Sequence, residues 1–206
     1  MNPVRSLRNA LCGLAVAGLS FSAATSPATA AEEQTNETRV ASVQMEAVKL
    51  TASTALAYGY DVRTDADGQQ WAMDSNTPEG DFTHAVPIPE DERASTQDRI
   101  IGNCGSSWVY LNGKEGYRSV YTGYEINPNW GAPVSQDWSV AIHSSIDFES
   151  YDFSGLAVWG SQTWFVSQMI TTQAIEGRPL SALAGGSVLT TENICVSGSP
   201  TDTITG

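Results

Sequence analysis

Positive charge is scarce in this sequence. Two lysines, Lys49 and Lys114, and eight arginines stand against 23 acids in 206 residues, for a net charge of −13. The basic residues form no cluster anywhere. Binding to phosphates requires clustered Lys and Arg, so nucleic acid is excluded as a partner, and anionic lipid or teichoic-acid surfaces are disfavoured on the same ground. Histidine and cysteine are scarcer still, at two and three residues. His84 and His143 are isolated, which leaves no transition-metal site, and three cysteines cannot build a Cys₄ zinc centre or a disulfide-dense miniature scaffold. The nucleophile elbow G-x-S-x-G is absent. No apolar run reaches the roughly 20 residues that cross a bilayer. These absences point to a chain with no catalytic residue, no metal and no cofactor.

What is present begins with an export signal. Arg5 and Arg8 precede a short apolar run at residues 10–21, and Ala28-Thr29-Ala30 offers an A-x-A cleavage site. Cys12 follows Leu11 where a lipid-anchor cysteine needs a small residue. Residues 1–30 are therefore read as a signal peptide and the protein as secreted and extracellular. Cleavage leaves 176 residues and takes the net charge from −13 to −15. It also leaves two cysteines, Cys104 and Cys195, in an oxidising compartment, where one long-range disulfide is the economical expectation. Closing that 91-residue loop stabilises a fold by about 4–5 kcal/mol in the chain-entropy model.

The composition divides the mature chain near residue 99. Residues 32–99 carry 14 acids and 5 bases, while residues 100–206 carry 9 and 3 and hold five of the six tryptophans. Residues 31–99 are expected to be an acidic, loosely structured region. Within it, residues 43–57 are ambiguous between helix and strand. A hairpin is expected around Asp65-Ala66-Asp67-Gly68, and a Pro-rich linker at residues 74–99. Residues 100–206 are expected to form the packed domain, an antiparallel β-sandwich or open barrel of about seven short strands. Asn112-Gly113 is read as a hairpin turn. Residues 138–148 are read as one alternating strand, with Trp138, Val140 and Ile142 on its apolar face.

Several groupings suggest chemistry and fall short of it. Asn103-Cys104-Gly105-Ser106-Ser107-Trp108 approaches the segment around the catalytic cysteine of papain-like proteases, but Ser107 stands where the thiol is needed. His143 and Asp147 share a strand face, yet four residues of strand separate them by roughly 13 Å. Asp65-Ala66-Asp67-Gly68 echoes part of a calcium loop, with Arg63 at the first ligand position and Asp74 at the last. Asp147, Glu149 and Asp152 offer paired carboxylates of the glycosidase kind, though such residues more often solubilise a loop. Aromatics are the remaining signal. Trp130, between Asn129 and Gly131, and Tyr151 are the candidate exposed loop aromatics that could stack on a sugar or grip a partner.

The runs Asn103 to Asn112, Tyr121-Thr122-Gly123-Tyr124-Glu125-Ile126, Trp138-Ser139-Val140, Leu156-Ala157-Val158-Trp159 and Ile194-Cys195-Val196-Ser197-Gly198 together resemble a group of small secreted actinobacterial proteins. The resemblance covers residues 100–203. It implies a bacterial exported origin and supports the Cys104–Cys195 pairing, and it carries no activity. The expected function is thus a non-enzymatic extracellular β-domain with an interaction or cell-envelope role. A carbohydrate-binding module acting through loop aromatics is the alternative, and a small secreted hydrolase comes third. The partners left open are a glycan or an extracellular protein. A row of exposed Trp and Tyr would favour the carbohydrate module, and a large concave pocket with converging polar groups would favour the hydrolase.

Overall fold

The computed structural model describes residues 41–92, 100–114 and 117–205. The proposed signal peptide, residues 31–40 and the end of the Pro-rich linker lie outside them. The chain is mainly β, built on one curled, half-barrel antiparallel sheet. In chain order the elements are β1 (Ala41–Lys49), α1 (Ala52–Ala57), β2 (Asp61–Thr64), β3 (Gln70–Met73), β4 (Val86–Pro87), β5 (Ile100–Lys114) and β6 (Tyr117–Ile126). Then follow β7 (Pro133–His143), β8 (Phe148–Asp152), β9 (Gly155–Leu156), β10 (Thr163–Met169), β11 (Pro179–Thr190), β12 (Asn193–Val196) and β13 (Thr201–Thr205). The large sheet runs β10-β6-β5-β1-β12-β11-β7-β8, with β13 added to β11 and β9 to β7, and β2-β3-β4 form a small second sheet.

The division at residue 99 does not separate this sheet. β1 comes from the acidic N-terminal side and lies inside it, paired with β5 along one edge and β12 along the other. The reason is burial. Met45 and Ala47 point into the sheet's concave core and are fully buried. The spacing of Val43, Ala47 and Leu50 also fits a helix, which is why residues 43–57 read ambiguously, but the helix starts only at Ala52. Thr51 caps it, its Oγ1 accepting from Thr54 N–H while Thr54 Oγ1 accepts from Thr51 N–H. The expected hairpin forms as β2 and β3, in register Arg63↔Trp71.

One expected turn and one expected strand come out differently. Asn112 and Gly113 remain in the ladder, opposite Ser119 and Arg118, and pairing continues to Lys114↔Tyr117. The cross-strand pairs Tyr110↔Tyr121 and Leu111↔Val120 hold that register. Gly113 serves close approach, since a Cβ there would meet Tyr117 O at 2.7 Å. Conversely, residues 138–148 are not one strand. β7 ends at His143, and Ser144 Oγ accepts from the N–H groups of Ile146 and Asp147, so the chain reverses into β8.

The sheet buries both faces unequally. Its concave side holds the main core, with Trp138, Tyr124, Ile126, Val140, Ile142 and Val188 among its buried residues. Polar groups there are matched: Tyr124 OH donates to Gln136 Oε1 at 2.6 Å and Trp138 Nε1 to Thr122 Oγ1 at 3.2 Å. Cys104 and Cys195 are bonded on this side, their Cα atoms 6.0 Å apart, from the two strands that flank β1. A second core lies on the convex side, where Tyr60, Ala72, Val86 and Ile88, from α1's flank and the small sheet, pack against Leu189, Ile194 and Val134.

Candidate binding surface

Alternation places the two faces of β5, β6 and β10. Val109, Leu111, Val120, Thr122 and Tyr124 are buried inward. Trp108, Tyr110, Tyr121, Gly123 and Phe165 therefore share the convex face. Trp108 stands opposite Gly123, which stands opposite Phe165, and Tyr110 stands opposite Tyr121. The Tyr110 and Tyr121 rings are 5.1 Å apart and those of Tyr121 and Phe165 are 5.6 Å apart, tilted by 51° and 37°. Phe165 is 61 % exposed, while Trp108, Tyr110 and Tyr121 are half-buried. Gly123 makes this packing possible, since a Cβ there would come within 2.8 Å of the Trp108 ring. Partial burial and the neighbouring Tyr110 raise the Tyr121 pKa, so the Tyr121 phenol is a neutral donor at physiological pH. Beside the rings lie Asn112, Ser119 and Ser167, uncharged and capable of hydrogen bonding.

The aromatics singled out from sequence are placed differently. Trp130 belongs to a 3₁₀ turn (Pro128–Trp130) and is half-buried, packed on the main core. Its ring lies over Gly102, where a Cβ would come within 2.6 Å of it, and its carbonyl accepts from Thr190 Oγ1 at 2.6 Å. Tyr151 is on strand β8 and not in a loop. It is half-buried, stacks on Phe153 with centroids 6.3 Å apart, and donates from its hydroxyl to Met169 O at 3.0 Å. Burial, with the adjacent Glu149 carboxylate, pushes its phenol up to about 12. The β5–β6–β10 row was missed because none of its members sits among Pro, Gly and Asn. Its signal was the odd-numbered alternation of Tyr117, Ser119 and Tyr121 on β6.

The other groupings resolve into structure. Asp147 Oδ1 accepts from Phe148 N–H and Oδ2 from Gln173 N–H, so its carboxylate serves the backbone and is not paired with His143. Glu149 accepts from the amides and hydroxyls of Thr171 and Thr172 at 2.9–3.1 Å. Asp65 accepts from Asp67 and Gln69 N–H and from Trp71 Nε1, which makes Asp65–Gly68 a hairpin turn held by its own carboxylate. Ser107 is buried and shares a hydrogen bond with Ser197 at 2.9 Å. Among the described residues no group of three His, Cys, Asp or Glu side chains is placed to hold a metal ion. No helix there is long and apolar enough to cross a membrane. No protein-family model matches the chain, and neither does any curated protein or solved structure.

Proposed function

We propose that this protein is exported, is not an enzyme, and binds neutral carbohydrate on the convex face of β5, β6 and β10. The observation that carries the reading is the ring row Tyr110–Tyr121–Phe165, which crosses three hydrogen-bonded strands at 5.1 and 5.6 Å. Aromatic rings offer apolar faces to the C–H surfaces of sugars, and a row fixed on strands loses little entropy on binding. Asn112, Ser119 and Ser167 supply the polar contacts that sugar hydroxyls need. Charge restricts the ligand. With a net charge of −13 and no basic cluster, the surface repels anionic polymers. The rings are tilted by 51° and 37° to one another and form no flat platform, which suits a single glycan chain better than a flat crystalline surface.

The test is retention on insoluble neutral polysaccharides together with a soluble glycan panel. Wild-type protein is retained, and Phe165→Ala and Tyr121→Ala weaken binding by about 1–3 kcal/mol each, with Phe165→Ala leaving the unfolding midpoint nearly unchanged. A panel in which no neutral glycan retains the wild type rejects this reading and returns the face to a protein partner.

A further inference from the structure

A second feature lies away from the aromatic row, where the segment after β3 meets the segment after β8. A cleft of about 370 Å³ is lined there by Asp74, Asp81, His84, Ser154 and Leu156, among others. At its border stands the most exposed large side chain described, Trp159 at 77 %, its ring 6.0 Å from His84. Val158 and Leu156 beside it are also exposed. The unusual member is Asp74. It is only 7 % exposed, yet the one hydrogen bond its carboxylate makes is from Asn76 N–H to Oδ1 at 2.8 Å. Its Oδ2 has no partner among the described residues. Among the described residues no arginine hydrogen-bonds to it. Arg63 is committed to the carbonyls of Thr77 and Pro78 and to Asp61. That oxygen is not sealed from solvent, so an ammonium arriving from outside can pair with it at little desolvation cost.

We infer that this cleft binds an alkylammonium group carried on an aliphatic stem, with the ammonium at Asp74 Oδ2 and the stem over Leu156. A single free carboxylate oxygen suits a compact ammonium; a guanidinium needs both oxygens for its fork. The apolar ledge of Leu156, Val158 and Trp159 suits the methylene stem, as long cationic side chains lay their stems on apolar surface. The indole face of Trp159 adds attraction for the charge. The acidic surface of the whole chain raises the local concentration of cations. Two sources share this chemistry, a lysine side chain within a peptide and a free diamine.

The full chain is titrated with Nα-acetyl-lysine methylamide, with cadaverine, and with the neutral Nα,Nε-diacetyl-lysine methylamide, following the Trp159 indole and His84 ring resonances by NMR. One or both cations shift these resonances and the neutral compound does not. A response to the lysine derivative alone assigns the site to peptides, and a response to cadaverine alone assigns it to diamines. Asp74→Asn keeps the turn acceptor and weakens binding at least tenfold, whereas Asp67→Asn, on an exposed turn, leaves it unchanged. Trp159→Ala, at a position too exposed to affect folding, weakens it severalfold. Binding of the neutral compound as strong as that of the cations, unchanged affinity in Asp74→Asn, or no shift with either cation overturns the proposal.

Discussion

Glu149 and Thr171 join the two edges of the curled sheet. Glu149 is on β8, at one end of the strand order, and Thr171 follows β10, at the other. Glu149 Oε2 accepts from Thr171 N–H at 3.0 Å and Oε1 from the Thr171 hydroxyl at 2.9 Å, while Thr172 doubles the clasp with its own amide and hydroxyl. Side chains thus close part of a gap that no backbone ladder spans among the described residues. Burial alone raises the Glu149 pKa, but the neighbouring Tyr151 hydroxyl and the hydrogen bonds from Thr171 and Thr172 outweigh it and bring the carboxyl down to about 2.

That depression makes the clasp sensitive to acid. The folded-state pKa lies below the ordinary value of 4.5, so the stabilisation is fully present above pH 4.5 and is lost as pH falls through about 2. Urea unfolding at a series of pH values is expected to show declining stability across that window. Glu149→Gln flattens the decline. At neutral pH Glu149→Ala costs about 1 kcal/mol, because the buried Thr172 loses its acceptor while the exposed Thr171 amide can turn to water. An acid limb identical in wild type and Glu149→Gln would show that another carboxylate governs it.

The position of β1 makes a second prediction. A chain truncated to begin at Ile100 loses the strand between β5 and β12 and uncovers both of their inner edges. It also loses Met45 and Ala47 from the main core and Tyr60, Ala72 and Ile88 from the second. Such a fragment is expected to show collapsed amide dispersion by NMR and no cooperative thermal transition. A chain beginning at Ala41 retains both. A well-folded fragment from Ile100 would mean that β1 is dispensable.

The all-β class, the β2–β3 hairpin and the inward face of β7 were legible because each rests on local pattern: alternation over Trp138, Val140 and Ile142, and turn chemistry at Asp65 to Gly68. The place of β1 was not legible, because its partners lie more than fifty residues away, and acidic flanking residues hid a strand whose inward side chains are only Val43, Met45 and Ala47. The ring row was illegible for a related reason. Tyr110, Tyr121 and Phe165 become neighbours only through two strand registers, and a single residue of slip in either would bury them. Loop context suggested Trp130 and Tyr151, which the fold uses largely for packing.

Trp130 supplies the next prediction. Because its ring covers Gly102 and packs on the main core, Trp130→Ala is expected to lower stability by about 2–4 kcal/mol, read as a shift of the urea midpoint. Gly102→Val produces a similar loss by forcing the same ring away. Neither substitution alters the β5–β6–β10 face, so glycan retention by the folded fraction stays unchanged. Loss of retention with unchanged stability in Trp130→Ala would return this residue to the role its loop context suggests.

The Cys104–Cys195 bond makes the last prediction. It joins the two strands on either side of β1, and both sulfurs lie in the main core with no exposure. Intact mass of the protein is expected to rise by about 2 Da on reduction, and only after denaturation, since a buried bond is shielded from thiolate attack. Because the bond closes a 91-residue separation, its loss is expected to cost about 2–5 kcal/mol. Replacing both cysteines by Ala gives the cleaner measurement, as it leaves no free thiol to form intermolecular bridges. The double variant should keep its fold at low temperature, where the two cores on either side of the sheet still hold β1, and melt earlier. A mass unchanged on reduction, or a covalent dimer in place of the intramolecular bond, would remove the bridge and with it this account of how β1 is kept in the sheet.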